Sequence, residues 1–222
     1  MKKKNKEVSL LLRSLLVSVL LFTIILVFAS YSFINSYSSS SIQNSLSAVS
    51  KLNLQNGDLI FRRGTSIESQ VVLLTDKESE YSHVGMIYKI NGEAYVLHTV
   101  PKENDDDPGY IKFESIEEFL SERKAARVGI YRLIQNFSEK INIASSYAYN
   151  CYIKNYRFDN NYDLESDKEL YCTELIWKAY MQAGIDLVCN RLKEINIIVA
   201  SRTLIMPSSI IESKLLKKTY SN

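Results

Sequence analysis

The sequence predicts an α+β domain, an antiparallel sheet with helices packed on it, preceded by an N-terminal transmembrane helix. Three observations predict it. Strand-like runs dominate the middle of the chain and helical patterns flank them. Asn91-Gly92 joins two of those runs, a strong local signal of an antiparallel hairpin. Ser14 to Ile34 carries no charge and is dominated by Leu, Val, Ile and Phe. At about 1.5 Å per residue that stretch can cross a hydrocarbon core of about 30 Å.

The elements follow in order. Residues 1–13 form a basic tip, with Lys2, Lys3, Lys4, Lys6 and Arg13 against Glu7. The positive-inside rule keeps such a tip in the cytoplasm and puts the rest of the chain across the bilayer. Residues 14–34 are then a membrane anchor, with a cleavable signal peptide as the alternative. Residues 35–50 are serine-rich and uncharged, which reads as a flexible linker, and the folded domain is expected over 51–222. Within it, Asn56-Gly57-Asp58 is a turn leading into a strand at Leu59-Ile60-Phe61. Ser66 to Leu74 reads as a short helix capped by Ser66. Ser82 to Ile90 and Ala94 to Val100 are the hairpin strands, and Lys102 to Gly109 is an acidic loop. Ser115 opens a helical pattern with Glu117 and Glu118 in its first turn. Val128 to Leu133 is a further strand, and Ser138 to Tyr152 a helix. Tyr156 to Lys168 is a polar, aromatic-rich loop. Leu170 to Ala183 is a helix ended by Gly184. The tail from Ile197 supplies a short strand and a closing segment around Met206-Pro207.

Charge excludes one class of partner. Five of the 27 basic residues and one of the 25 acidic residues lie in the first thirteen positions, so the body of the chain carries a formal charge of about −2. That leaves no electrostatic footprint for nucleic acid. Three cysteines are too few for a disulfide scaffold, and an odd count leaves at least one thiol unpaired.

Chemistry concentrates in the chain's two histidines, His83 and His98, and in Cys172. If Asn91-Gly92 forms the turn, position 83 faces position 100. His98 then lies two places along on the same face, so the two imidazoles are neighbours. Cys172 stands at or near a helix start, where free backbone N–H groups and the macrodipole favour a thiolate and lower its pKa. The same N–H groups suit an oxyanion. Tyr171, Thr173 and Asp58 are candidates for contacts to the substrate or the oxyanion, although turn chemistry explains Asp58 as well. Glu174 serves the helix dipole. Cys172, His83 and His98 also make a possible zinc ligand set. Asp105-Asp106-Asp107 lacks the ligand pattern of a calcium loop.

Three blocks in order carry a resemblance: Leu54-Gln55-Asn56-Gly57-Asp58-Leu59-Ile60-Phe61, Ser82-His83-Val84-Gly85-Met86-Ile87, and Tyr171-Cys172-Thr173-Glu174-Leu175-Ile176-Trp177. From about Leu52 to Tyr220 the chain resembles the permuted papain-like amidases of the YiiX/YaeF type, within the NlpC-like superfamily. The resemblance implies a circularly permuted papain-like fold with Cys172 as nucleophile and His83 as base. It implies a third, polar residue on the next strand, usually glutamate, where this sequence has His98. A His-His-Cys set also resembles the lecithin–retinol acyltransferase-like branch, which moves acyl groups through a thioester. The expected function is thus a cysteine hydrolase forming a thioester with an amide of a cell-wall peptide or a lipid, with no cofactor. The alternatives are an acyltransferase or esterase, a zinc site, and an inactive binding module. The expected location is membrane-anchored, with an extracytoplasmic catalytic domain.

Overall fold

The computed structural model describes residues 19–27, 41–102, 104–134, 137–197 and 200–222, and the chain divides into two units, Met1–Ser40 and Ser41–Asn222. In the first unit residues 19–27 are helical and exposed. Among the described residues no helix is long and apolar enough to cross a membrane. The rest of the expected 14–34 span, like the basic tip and residues 35–40, lies outside the described residues.

The second unit begins with a helix, α1 (41–49), inside the stretch expected to be a flexible linker. Nine residues do not hold a helix in water by propensity. This one forms because Ile42, Leu46 and Val49 recur at helical spacing, and Ile42 and Val49 are fully buried against the sheet. Each such burial stabilises by about 1.5–3 kcal/mol. The serines between them mask that stripe when composition is read alone.

The strands are β1 (Leu59–Gly64), β2 (His83–Ile90), β3 (Glu93–His98), β4 (Lys112–Ser115), β5 (Ala125–Leu133), β6 (Lys193–Ile197), β7 (Ala200–Leu204) and β8 (Leu216–Ser221). Six of them form one sheet in the order β4-β3-β2-β1-β5-β8, antiparallel throughout, and β6 and β7 pair as a separate hairpin. Asn91 and Gly92 both take positive φ, 53° and 90°, as the tight turn between β2 and β3 demands. The resulting register pairs Ile90 with Glu93 and Met86 with Leu97, in line with a turn centred on 91/92.

Period-two alternation sends the two sheet faces to different helices. Leu59, Phe61, Val84, Met86 and Leu97 pack with α4 (Ser138–Ile153) and α5 (Cys172–Gln182). Ile60, Ile87, Val96, Val128 and Ile130 pack on the opposite side with α1 and with α3 (Ile116–Phe119). Two further helices complete the unit, α2 (Ile67–Thr75) and α6 (Pro207–Ile211). Ser66 caps α2 and Ser115 caps α3, each accepting from the backbone N–H three residues on. Gly184, at φ 67°, closes the end of α5. The antiparallel α+β architecture expected from the sequence is the one observed.

Candidate active site

The two histidines meet because β2 and β3 keep the register their turn sets. The His83 and His98 ring nitrogens Nε2 and Nδ1 lie 2.9 Å apart. Gly85 sits between them in sequence and opposite His98 in register. A Cβ there would come within 2.3 Å of Val96 Cγ1 and 3.2 Å of His98 Cβ, so glycine is what lets β3 bring His98 in. Beneath both rings lies Phe119, at centroid distances of 5.7 Å from His83 and 4.9 Å from His98.

The chain of contacts continues to a residue that sequence reasoning missed. His98 Nε2 is 3.1 Å from Glu114 Oε2, and Lys124 Nζ is 3.2 Å from Glu114 Oε1. These contacts fix the proton positions. Glu114 is held well into its anionic range, at about 2: burial alone would raise it, but the hydrogen bond and charge of His98 and the ammonium of Lys124 outweigh that. A carboxylate only accepts, so His98 donates through Nε2. Burial first of all, with Arg62 and Lys112 adding to it, lowers His98 to about 4 against the pull of Glu114, so at neutral pH it is uncharged. Its Nδ1 is therefore an acceptor and His83 donates through Nε2. Burial, Arg62, His98 and Lys124 hold His83 well below 6.5, so it too is neutral. The lone pair left to His83 is on Nδ1, the nitrogen able to take a proton.

Arg62 is a second residue the sequence did not flag. It pairs in register with His83, donates from Nη1 to Phe119 O at 2.7 Å, and lies 4.4 Å over the Phe119 ring. Only the β1–β2 register identifies it.

Cys172 is the first residue of α5. The helix starts there because Tyr171 is extended, and Glu174 Oε2 reaches back to accept the Tyr171 N–H at 3.2 Å. The thiol is half-buried, on the same cleft as His83. The backbone N–H groups of Val84, Thr173 and Cys172 itself favour its charged form. The β2–β3 register ends at Met86 with Leu97, so the Val84 N–H lies beyond that pairing. The helix start does not lower the thiol as expected. Burial outweighs the N–H groups and the charge of Arg62 and pushes it up. Thiol and imidazole therefore rest as a neutral pair.

The remaining candidates divide. Tyr171 and Thr173 line the cleft, but their hydroxyls clasp the 204–206 segment: Tyr171 Oη accepts the Ile205 N–H at 3.0 Å, and Thr173 Oγ1 donates to Ile205 O at 2.6 Å. The Thr173 backbone N–H, not its side chain, faces the sulfur. Asp58 does not join the site. It sits at the other end of β1, buried, and both its oxygens are taken by Arg132 at 2.6 Å, with the Gln55 N–H on Oδ2. The turn role is the one it fills. Among the described residues no group of three or more His, Cys, Asp and Glu is placed to hold a metal ion. The nitrogens that would converge on a shared zinc face each other. Cys151 and Cys189 are free thiols, one buried and one exposed.

This arrangement has a consequence for stability. His83 and His98 titrate in the fold below their ordinary 6.5, and Glu114 below its ordinary 4.5. Groups with depressed pKa contribute stability above the unfolded value that is lost as pH falls through the folded one. Glu174 acts the other way. Burial raises it to about 7 despite its ion pair with Lys178, so its contribution is lost as pH rises from 4.5 through 7. Two histidines outweigh one carboxyl, so the urea midpoint should fall as pH drops from 6.5 to 4. His98→Gln should flatten that slope. A midpoint constant across the window would contradict the neutral, buried pair.

A cleft of about 920 Å³ opens over Cys172 and His83, walled by α2, the β6–β7 hairpin and the loops at 100–102 and 158–162. A family model for permuted papain-like amidase enzymes, YaeF/YiiX, matches residues 53–220. The uncharacterized protein YiiX of Escherichia coli (strain K12) is 26% identical over 130 residues, 58% of this chain and 58% of that protein. The alignment thus spans less than two thirds of that relative's length. The crystal structure of metalloprotein yiiX from Escherichia coli O157:H7 superposes with a TM-score of 0.64 at 21% identity, covering 77% of this chain and 99% of the other. At that identity the likeness is one of fold.

Proposed function

The chain belongs to the family of permuted papain-like amidases of the YaeF/YiiX type, and from that premise we propose that it hydrolyses an amide through a thioester on Cys172. The observation that carries the reading is the convergence on one cleft of a cysteine at a helix start, a neutral His83 whose free nitrogen is Nδ1, and a polar chain through His98 to Glu114.

In the proposed reaction His83 Nδ1 takes the thiol proton as sulfur attacks the amide carbonyl. The S–C bond forms, and the carbonyl oxygen gathers charge within reach of the N–H groups that face the sulfur, Val84 among them. The tetrahedral species collapses, the C–N bond breaks, and the amine leaves with the proton held by His83. Water then attacks the thioester, giving a proton to His83 and its oxygen to the acyl carbon. The carboxylic acid departs and the thiol regains its proton. The neutral resting pair suits this sequence, because charge appears only as the bond forms. His98 and Glu114 hold the His83 ring and offset its transient positive charge, the task expected of a single carboxylate in the third position.

An anchor at 14–34 with its basic tip inside would put the domain outside the cytoplasm, where cell-wall peptides and membrane amides are within reach. The test is acid quenching of the enzyme during turnover of an amide, followed by mass spectrometry. The expected result is the acyl mass on the peptide containing Cys172, released by hydroxylamine. Turnover with no adduct on Cys172 under any quench would sink the mechanism. Adduct that discharges faster onto an added amine or alcohol than onto water would make the protein a transferase.

A further inference from the structure

A buried charge stands where the sheet pattern favours an apolar side chain. β1 sends Ile60 to the face shared with α1 and α3, and period-two alternation sends Arg62 to the same face. Arg62 is only 6% exposed. Burying a guanidinium there costs far more than burying an apolar residue, so the position asks for a role. Two contacts show what holds it. Arg62 Nη1 donates to Phe119 O at 2.7 Å, and the guanidinium carbon lies 4.4 Å from the centre of the Phe119 ring. One side chain thus grips Phe119 by its carbonyl and by its ring face. α3 is a single turn of four residues, too short to fix Phe119 by itself. Yet Phe119 is the surface on which both histidine rings rest, with centroids 5.7 Å and 4.9 Å away. The register also pairs Arg62 with His83 directly, and Arg62 lines the cleft together with His83 and Cys172.

We infer that Arg62 is a positioning residue with two separable tasks: its grip on Phe119 fixes the floor under His83 and His98, and its fixed positive charge opposes a second one on their rings. The catalytic consequence rests on the amidase reading; the two tasks themselves do not. Charge reaches the pair from several elements. Arg62 acts from β1 and Lys124 from the segment after α3, with Lys112 of β4 acting on His98, and each disfavours an imidazolium. Glu114 of β4 acts the other way on His98. Cys172 faces the cleft from α5, and there Arg62 favours the thiolate. Arg62 and Glu114 therefore divide the labour. The carboxylate eases the transient imidazolium, and the guanidinium keeps the resting ring free of a proton as pH falls. During transfer from sulfur to His83 the two effects of Arg62 oppose each other, since it favours the thiolate and disfavours the imidazolium. Removing its charge should thus shift the pH range of the site more than the rate at its optimum. Removing its grip should do the reverse.

The test compares Arg62→Gln, which removes the charge, with Arg62→Lys, which keeps it and loses the planar group that grips Phe119. The chain has only two histidines, so NMR of isotope-labelled histidine follows both rings across pH. With Arg62→Gln both midpoints should rise by about one pH unit, and Cys172 should be alkylated several-fold more slowly by iodoacetamide at pH 8. With Arg62→Lys the midpoints should stay in place. Its kcat should fall about tenfold with little change in KM, and its ring nitrogens should no longer be held in one tautomer. Unmoved midpoints in Arg62→Gln would overturn the inference, because a merely structural arginine leaves them where they are. So would midpoints that rise as far in Arg62→Lys as in Arg62→Gln, which assigns them to packing. If Arg62→Gln does not fold, Arg62→Lys decides alone: full turnover with fixed tautomers overturns the inference, and slow turnover with midpoints in place upholds it. An unmutated protein without amide turnover, whose midpoints still respond to the two variants as expected, would uphold the part given to Arg62 and sink the amidase reading, so the two failures are distinguishable.

Discussion

Replacement of Cys172 by alanine is expected to lower amide turnover by about 10⁴-fold or more, to the level of the uncatalysed reaction plus what binding alone supplies. No neighbouring group can take over. Among the described residues Cys151 is buried within the helical side of the core and Cys189 is exposed, away from the cleft lining. The fold should tolerate the change, at about 1 kcal/mol or less, because the side chain is half-buried and the helix start is held by Glu174 on the Tyr171 N–H. Cys172→Ser should be nearly as inactive, since a hydroxyl is far harder to deprotonate by an imidazole already held below its ordinary range. The unmutated thiol adds a second readout. Burial puts it above its ordinary value of 9.0, so its alkylation by iodoacetamide without substrate should still be rising at pH 9. A preformed thiolate–imidazolium pair would instead plateau near neutrality. Full turnover in the alanine variant would remove Cys172 from the chemistry.

How much of this was legible beforehand depended on how local each signal was. The His83–His98 pair was readable because one turn, Asn91-Gly92, sets the register that joins them. The helix start at Cys172 was readable within two residues from the polar stretch before it. Glu114 was not, because β4 is only four residues long and exists by pairing with β3. Arg62 required the register between β1 and β2, which no local pattern encodes. The helix α1 was hidden by serine-rich composition, since its three apolar positions matter only against a sheet surface already in place. The thiol's pKa went astray for a related reason. A helix start is a local feature and desolvation is a tertiary one, and here burial is the larger. For Asp58 the turn role was legible beside its glycine, but its ion pair with Arg132, far along the chain, was not.

Glu114 provides the sharper test of the site, because its role runs through two other rings. Glu114→Ala removes the acceptor that holds His98 Nε2–H and leaves the Lys124 ammonium beside a neutral histidine. His98 is then free to exchange tautomers. With its proton on Nδ1, it opposes His83 Nε2–H with another donor and turns that ring out of line. A loss of about 10²-fold in kcat with little change in KM is expected, since the carboxylate touches neither substrate nor sulfur. Glu114→Gln separates geometry from charge. Its amide oxygen can still accept from His98, so the tautomers persist, but the negative charge opposite the transient His83 imidazolium is gone. The loss should be nearer tenfold, and the acid limb of kcat/KM should move to lower pH, because an imidazolium without that charge forms less readily. A merely structural carboxylate would lower stability in both variants and leave the pH profile in place. The relay therefore stands or falls on the limb: alanine and glutamine variants with equal kcat and an unshifted profile would reduce Glu114 to a surface partner of Lys124. An acid limb displaced by glutamine alone would establish that the charge of Glu114 reaches His83 through His98, and that the histidine in the third position supplies by connection what a carboxylate supplies directly.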